Sequence, residues 1–187
     1  TQGPDGALAM SPLGWIVQFA PLVLIFGSMF LMKRPNPVTT NLLYWAVVAT
    51  MGASLGWIFL VYSGASVATT FFVTAAAFAG LSLFGYTTKK DLSGMGHFMM
   101  MGLMGIVIAM LVNIFVGSPL IDFVVSGLGV VIFTCLTAWE TQNIKETYAV
   151  AHGRETNDKL AVIGALSLYL CFINLFQFLM NFMGQRE

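Results

Sequence analysis

Residues 96–116 read GHFMMMGLMGIVIAMLVNIFV, a run without one Asp, Glu, Lys or Arg. A helix needs roughly 20 apolar residues to cross the roughly 30 Å hydrocarbon layer of a bilayer, and this run has that length. In hydrocarbon every backbone N–H and C=O must be bonded internally, which leaves only helices and closed barrels. Barrel strands alternate apolar and polar residues over about ten positions. This stretch is too long and too uniformly apolar for that, so it is read as a membrane-spanning α-helix.

Five more windows meet the same test, near 12–32, 39–62, 65–85, 118–139 and 160–183. The separators are charged or turn-like: Lys33-Arg34-Pro35-Asn36-Pro37, Ser63-Gly64, the segment from Thr87 to Ser93, Gly117-Ser118-Pro119, and a polar run from Glu140 to Lys159. The expected fold is therefore an all-α, polytopic membrane helix bundle of six spans forming one domain over residues 1–187. Composition agrees. Hydrophobic residues make up 58% of the chain and charged ones 9%, against about a quarter in soluble domains, so most of the surface has to face lipid. Eight basic residues balance eight acidic ones, which gives no reason to expect nucleic acid as a partner.

Crossing the membrane at each window gathers Lys33, Arg34, Lys89, Lys90, Lys145, Arg154 and Lys159 on one face and leaves Arg186 on the other. The positive-inside rule makes the basic face cytoplasmic, or matrix-facing in a mitochondrion. A bacterial inner membrane is the expected location, with the mitochondrial inner membrane as the alternative. Both ends of this chain then lie on the opposite side. One further span before Thr1 would return the amino terminus to the basic side, and such a helix is expected.

Two helix faces suggest packing against protein. Ala75, Ala76, Ala79 and Gly80 carry the small-residue spacing that lets backbones approach closely. Ser167, Cys171, Asn174, Gln177 and Asn181 recur at steps of three or four and share one face of the last window. That face should point at other helices or a wet cavity. A hydrogen-bonded structural helix and a functional lining explain it equally well.

No catalytic set is visible. The chain has no Gly-rich phosphate loop, His-Glu metal motif or supported Ser-His-Asp group, so no enzyme activity, cofactor or metal site is expected. His97 and His152 each stand alone. Met99, Met100, Met101 and Met104 point to different helix faces and read as adaptable packing. Cys135 and Cys171 form no disulfide or zinc pattern. Asp122, just after Ser118-Pro119, reads as a helix-start acid that suits the positive end of the dipole. Glu140, at the end of its window and followed by Thr141-Gln142-Asn143, is either a functional carboxylate near membrane depth or an interfacial acid facing water.

Four blocks together resemble the bacterial Bax inhibitor-1 family: Gly85-Tyr86-Thr87-Thr88-Lys89-Lys90-Asp91-Leu92-Ser93-Gly94, Val112-Asn113-Ile114-Phe115, Glu140-Thr141-Gln142-Asn143-Ile144-Lys145, and Ala165-Leu166-Ser167-Leu168-Tyr169-Leu170-Cys171-Phe172-Ile173-Asn174-Leu175-Phe176. The resemblance runs from Pro12 to the end and implies a seven-helix fold whose last helix is central. It places the six windows on helices two to seven, with the first helix the one not present here. Members of that family are linked to pH-sensitive leakage of calcium or other cations, and some bacterial relatives restrain a membrane-anchored quality-control protease.

The family's leak rests on two aspartates that share a proton. Here the resemblance puts Glu140 at the first position and Cys171 at the second. A thiol, with a reference pKa of about 8.5, is neutral at physiological pH, so the acid pair is lost. The family's basic partner falls on Lys33 or Arg34, and its further acid falls on the apolar stretch from Pro21 to Val23. The candidate gate or ion pathway is thus Glu140, Cys171, Asn174, Lys33 and Arg34. Two functions follow as expectations. One is a diverged, non-catalytic subunit or regulator that contacts other integral membrane proteins. The other is a calcium or cation leak, with proton sensitivity, gated by Glu140.

Overall fold

The computed structural model describes residues 37–56, 58–149 and 154–184. The chain divides into two compact units, Thr1–Leu60 and Val61–Glu187. The expected span at 12–32, together with Lys33 and Arg34, lies outside the described residues.

In the first unit α1 runs Pro37–Leu55. Proline suits its first position because that N–H has no helical partner in any case. The Thr50 hydroxyl donates to the Ala46 carbonyl and the Ser54 hydroxyl to that of Met51 (2.7 Å). Each polar group is thereby satisfied inside its own helix. A tightened bond from the Gly56 N–H to the Ala53 carbonyl (3.1 Å) closes the end of α1, and the short α2, Ile58–Val61, follows.

Four helices make up the second unit: α3 Gly64–Thr87, α4 Ser93–Val116, α5 Pro119–Ala149 and α6 Arg154–Met183. Its hub is α5, which packs on α3, α4 and α6, whereas α6, expected at the centre of the whole bundle, packs on α3 and α5. The core between them holds Ile106, Val125, Ile132, Phe133, Leu136, Cys171, Leu175 and Phe178. Aromatic rings extend it, with Phe78 edge-on to Phe172 (5.4 Å between centroids) and Phe133 stacked on Phe178 (5.6 Å).

Much apolar surface is left uncovered. On α4, Phe98, Met101, Met104, Ile108, Leu111 and Phe115 are all exposed, Phe115 to 89%. Soluble monomers rarely show contiguous apolar patches beyond a few hundred Å², so the solvent of this face is hydrocarbon. Among the described residues five helices are long and apolar enough to cross a membrane: Asn41–Val61, Gly64–Thr87, Ser93–Val116, Pro119–Thr147 and Leu160–Met183. This is an integral membrane protein.

The polar run from Glu140 to Lys159 is a correction to the sequence reading. It is mostly helical, because α5 continues to Ala149 and α6 begins at Arg154. Hydropathy marks the length buried in lipid, not the length of the helix, and Glu, Gln, Lys and Ala are good helix formers in water.

Small polar side chains in the spans repeat the device seen in α1. The hydroxyls of Thr74, Ser126 and Thr137 each donate to the carbonyl four residues back at 2.7 Å. The opposite end of the unit is closed by Asn113, which is buried. Its Nδ2 donates to the Asp122 carboxylate (2.8 Å) and its Oδ1 accepts the Ser118 N–H (2.9 Å). Gly117 takes the left-handed conformation (φ 63°) that ends α4, one that only glycine adopts without strain. Asp122 is the helix-start acid expected of it.

Candidate functional site

Three helical turns of α5 and the facing stretch of α6 carry the candidate residues. Cys171 is 8% exposed and belongs to the apolar core. It packs with Leu136 of α5, the helix that carries Glu140. The two positions that the resemblance assigns to an acid pair thus stand on neighbouring packed helices, α5 and α6. One is a carboxylate, and the other is a thiol sealed among Leu136, Leu175 and Phe178.

Glu140 is half-buried. It lines a cavity of about 90 Å³ with Asn143 and Thr147 of its own helix and with Leu160 and Gly164 of α6. Steps of three and four place Glu140, Asn143 and Thr147 on one face, so the polar side of the cavity comes from α5 and the apolar side from α6. Gly164 permits this arrangement. A Cβ there would start 3.0 Å from the Ile144 side chain, which would have to shift by a few tenths of an ångström. A cavity of this size holds a few waters, and its amide, hydroxyl and carboxylate supply the partners they need.

Asn174 contributes less than its place in the sequence suggests. Its Nδ2 donates to the Leu170 carbonyl of the preceding turn (2.7 Å), so half of its amide is spent inside α6. Asn181, on the same stripe, donates to the Ser126 hydroxyl (2.8 Å) and accepts from Tyr62 (3.3 Å), tying α6 to α5 near the far end of the unit. No group of three or more metal-ligating side chains forms among the described residues. Cys135 and Cys171 are both free thiols. The His97 Nδ1 lies 2.6 Å from the Ser93 carbonyl, its ring 6.2 Å from that of Trp139, and His152 lies outside the described residues.

Sequence reasoning missed the clamp at the α3–α4 turn. Gln142, buried at 6% exposure, donates from Nε2 to the Lys90 carbonyl (2.8 Å) and accepts at Oε1 from the Leu92 N–H (2.8 Å). Lys145 donates to the Tyr86 carbonyl (2.7 Å) and sits 4.9 Å from the centre of the Tyr86 ring. Together they fasten the α3–α4 turn to α5. Asp91 completes the turn: its Oδ1 accepts the Ser93 N–H (2.8 Å) at the start of α4. The hydroxyl and N–H of Ser93 hold the Asp91 carboxyl below its ordinary range.

Comparison with known proteins places this arrangement. The family model for inhibitors of apoptosis-promoting Bax1 matches residues 5–187. An uncharacterised protein of Caulobacter vibrioides is 54% identical over 181 residues, which is 96% of this chain and 72% of that protein. The inner membrane protein YbhL of Escherichia coli is 43% identical over 177 residues, 94% of this chain and 75% of the relative. The protein RP147 of Rickettsia prowazekii is 43% identical over 174 residues, 93% and 74% of the two chains. With the family model matching residues 5–187 and a relative 43% identical over 94% of this chain, the chain belongs to the Bax inhibitor-1 family.

Proposed function

We propose that this chain is a non-catalytic subunit or regulator of a larger membrane complex, in the bacterial inner membrane, with its basic loops cytoplasmic. The observation that carries this reading is the thiol that stands where the resemblance would have a second acid. Cys171 lies in an apolar core on the helix packed against the one that carries Glu140, and a single acid cannot give the coupled titration that two provide. The inner membrane location draws on the name of the Escherichia coli relative, and the orientation on the count of basic residues. Contacts with other integral membrane proteins would use the exposed face of α3, where Ala76, Ala79 and Gly80 are uncovered and a side chain added at Gly80 would meet nothing within 4 Å. Solubilising the native protein in a mild detergent and sizing it tests the proposal. The expected result is a defined complex with a second membrane polypeptide. Monomer alone, at every detergent tried, overturns it.

A second reading has its own support. Glu140, Asn143 and Thr147 line a cavity, and a carboxylate with two neutral oxygens is the kind of site that attracts calcium or a proton. Calcium flux into proteoliposomes over a pH series, for the wild type and Glu140→Gln, decides it. A leak gated by Glu140 loses its pH response in the variant. Identical flux curves for the two proteins reject the reading.

A further inference from the structure

The turn Thr88–Leu92 is more rigidly held than a connection between two spans requires, and its lysines are the groups that this leaves on display. Gln142 binds the turn at two main-chain points, and Lys145 binds the Tyr86 carbonyl in the last turn of α3. Lys90 is itself engaged through its main chain, its N–H meeting the Thr88 hydroxyl at 3.3 Å and its carbonyl meeting Gln142. Both Lys89 and Lys90 are exposed. The acid between them and α4, Asp91, is turned away to the Ser93 N–H. Among the described residues neither ammonium is matched by a carboxylate.

One turn earlier on α3 the surface changes character. Leu83 is 64% exposed, Phe84 52% and Tyr86 58%, with the Lys145 ammonium fixed against the Tyr86 ring. Two exposed lysines on a turn whose main chain is held to α5 thus follow directly on a helix end with uncovered apolar and aromatic side chains. A soluble phosphate would use only the charges, and an acidic peptide would have no use for that apolar surface. A molecule with a phosphate at one end and an acyl chain at the other uses both. The geometry points to an anionic phospholipid bound at this place, its phosphate at Lys89 and Lys90 and a chain lying along Leu83, Phe84 and Tyr86. The site lies on the α3–α4 turn and does not depend on either reading of Glu140.

Titration of the purified full chain in detergent micelles, with phosphatidylglycerol and with phosphatidylcholine, tests it, bound lipid being counted by native mass spectrometry. Each lysine near a phosphate contributes about fivefold, so the wild type is expected to prefer phosphatidylglycerol by about thirtyfold. The double substitution K89Q/K90Q reduces that preference to near unity. Both side chains are exposed, so circular dichroism should show the fold unchanged. K159Q, which removes a charge elsewhere, keeps the preference. A thirtyfold preference that survives K89Q/K90Q, or that K159Q reduces equally, overturns the proposal. So does displacement of the lipid by millimolar inorganic phosphate or by polyglutamate, because the acyl chain would then add nothing.

Discussion

Gly85→Val is expected to destabilise the folded chain by about 3 kcal/mol or more, the top of the range for overpacked interiors. Gly85 is buried where α3 crosses α5. A Cβ built there overlaps the Ala138 carbonyl oxygen and comes within 2.9 Å of the carbonyl carbon. The obstacle is main chain, held in the middle of a helix that also packs on α4 and α6, so it cannot rotate out of the way as a side chain could. The only relief is to move the two helices apart, which uncovers Thr74, Thr137 and Ala138, all at most 2% exposed. Two controls separate this from general intolerance at glycine. Gly80→Ala, on the same helix, meets nothing within 4 Å and should change stability by no more than about 0.5 kcal/mol. Gly96→Val would strike the Trp139 ring, a side chain with some freedom to yield, and should fall between the two. Reversible unfolding in mixed micelles, by denaturing detergent and followed by tryptophan fluorescence, gives the order. Equal stability of the Gly85 and Gly80 variants would show that α3 and α5 are not in contact at this crossing.

That comparison also marks where the sequence was legible. Expected windows at 65–85 and 96–116 match α3, Gly64–Thr87, and α4, Ser93–Val116, to within three residues at each end, because hydrocarbon imposes a length that composition records directly. The packing faces were harder to read. The small residues Ala75, Ala76, Ala79 and Gly80 were expected to mark a close approach. The structure instead puts that approach five residues on, at Gly85, and leaves Gly80 open. A small residue can be small because a neighbour needs the room or because lipid does not mind, and spacing alone does not tell these apart. Gln142 illustrates the opposite failure. Its importance comes from main-chain groups at Lys90 and Leu92, about fifty positions away along the chain, and no local pattern predicts a partner that distant. The assignment of Glu140 and Cys171 to one site rests on the family resemblance alone, since periodicity within either helix cannot pair residues of two different helices.

On the regulatory reading of this chain, Cys171→Asp should add a pH-responsive leak that the wild type lacks. The substitution places a second carboxyl on α6, the helix packed against the one that carries Glu140. Two carboxyls within a few ångströms cannot both ionise freely, so on this reading they hold a shared proton and titrate as a unit. Coupling by about one pK unit is already a tenfold change in occupancy. Calcium competes with the shared proton, so flux through proteoliposomes is expected to be about tenfold above the wild type at the alkaline end of a pH series and to fall as the pH drops. The new carboxyl enters an apolar cluster with Leu136, Leu175 and Phe178, at a cost of about 1–3 kcal/mol if it finds no partner, so the folded fraction has to be measured alongside the flux. Cys171→Asn supplies the control, nearly the same size and polar but without a proton to lose. It should fold as the aspartate variant does and show no dependence on pH. Adding Glu140→Gln to Cys171→Asp removes the first acid and should return the flux to the level of the wild type. If Cys171→Asp folds yet leaks no more than Cys171→Asn at any pH, a missing second acid is not what separates this chain from a leak, and the argument from Cys171 to a regulatory role loses its basis.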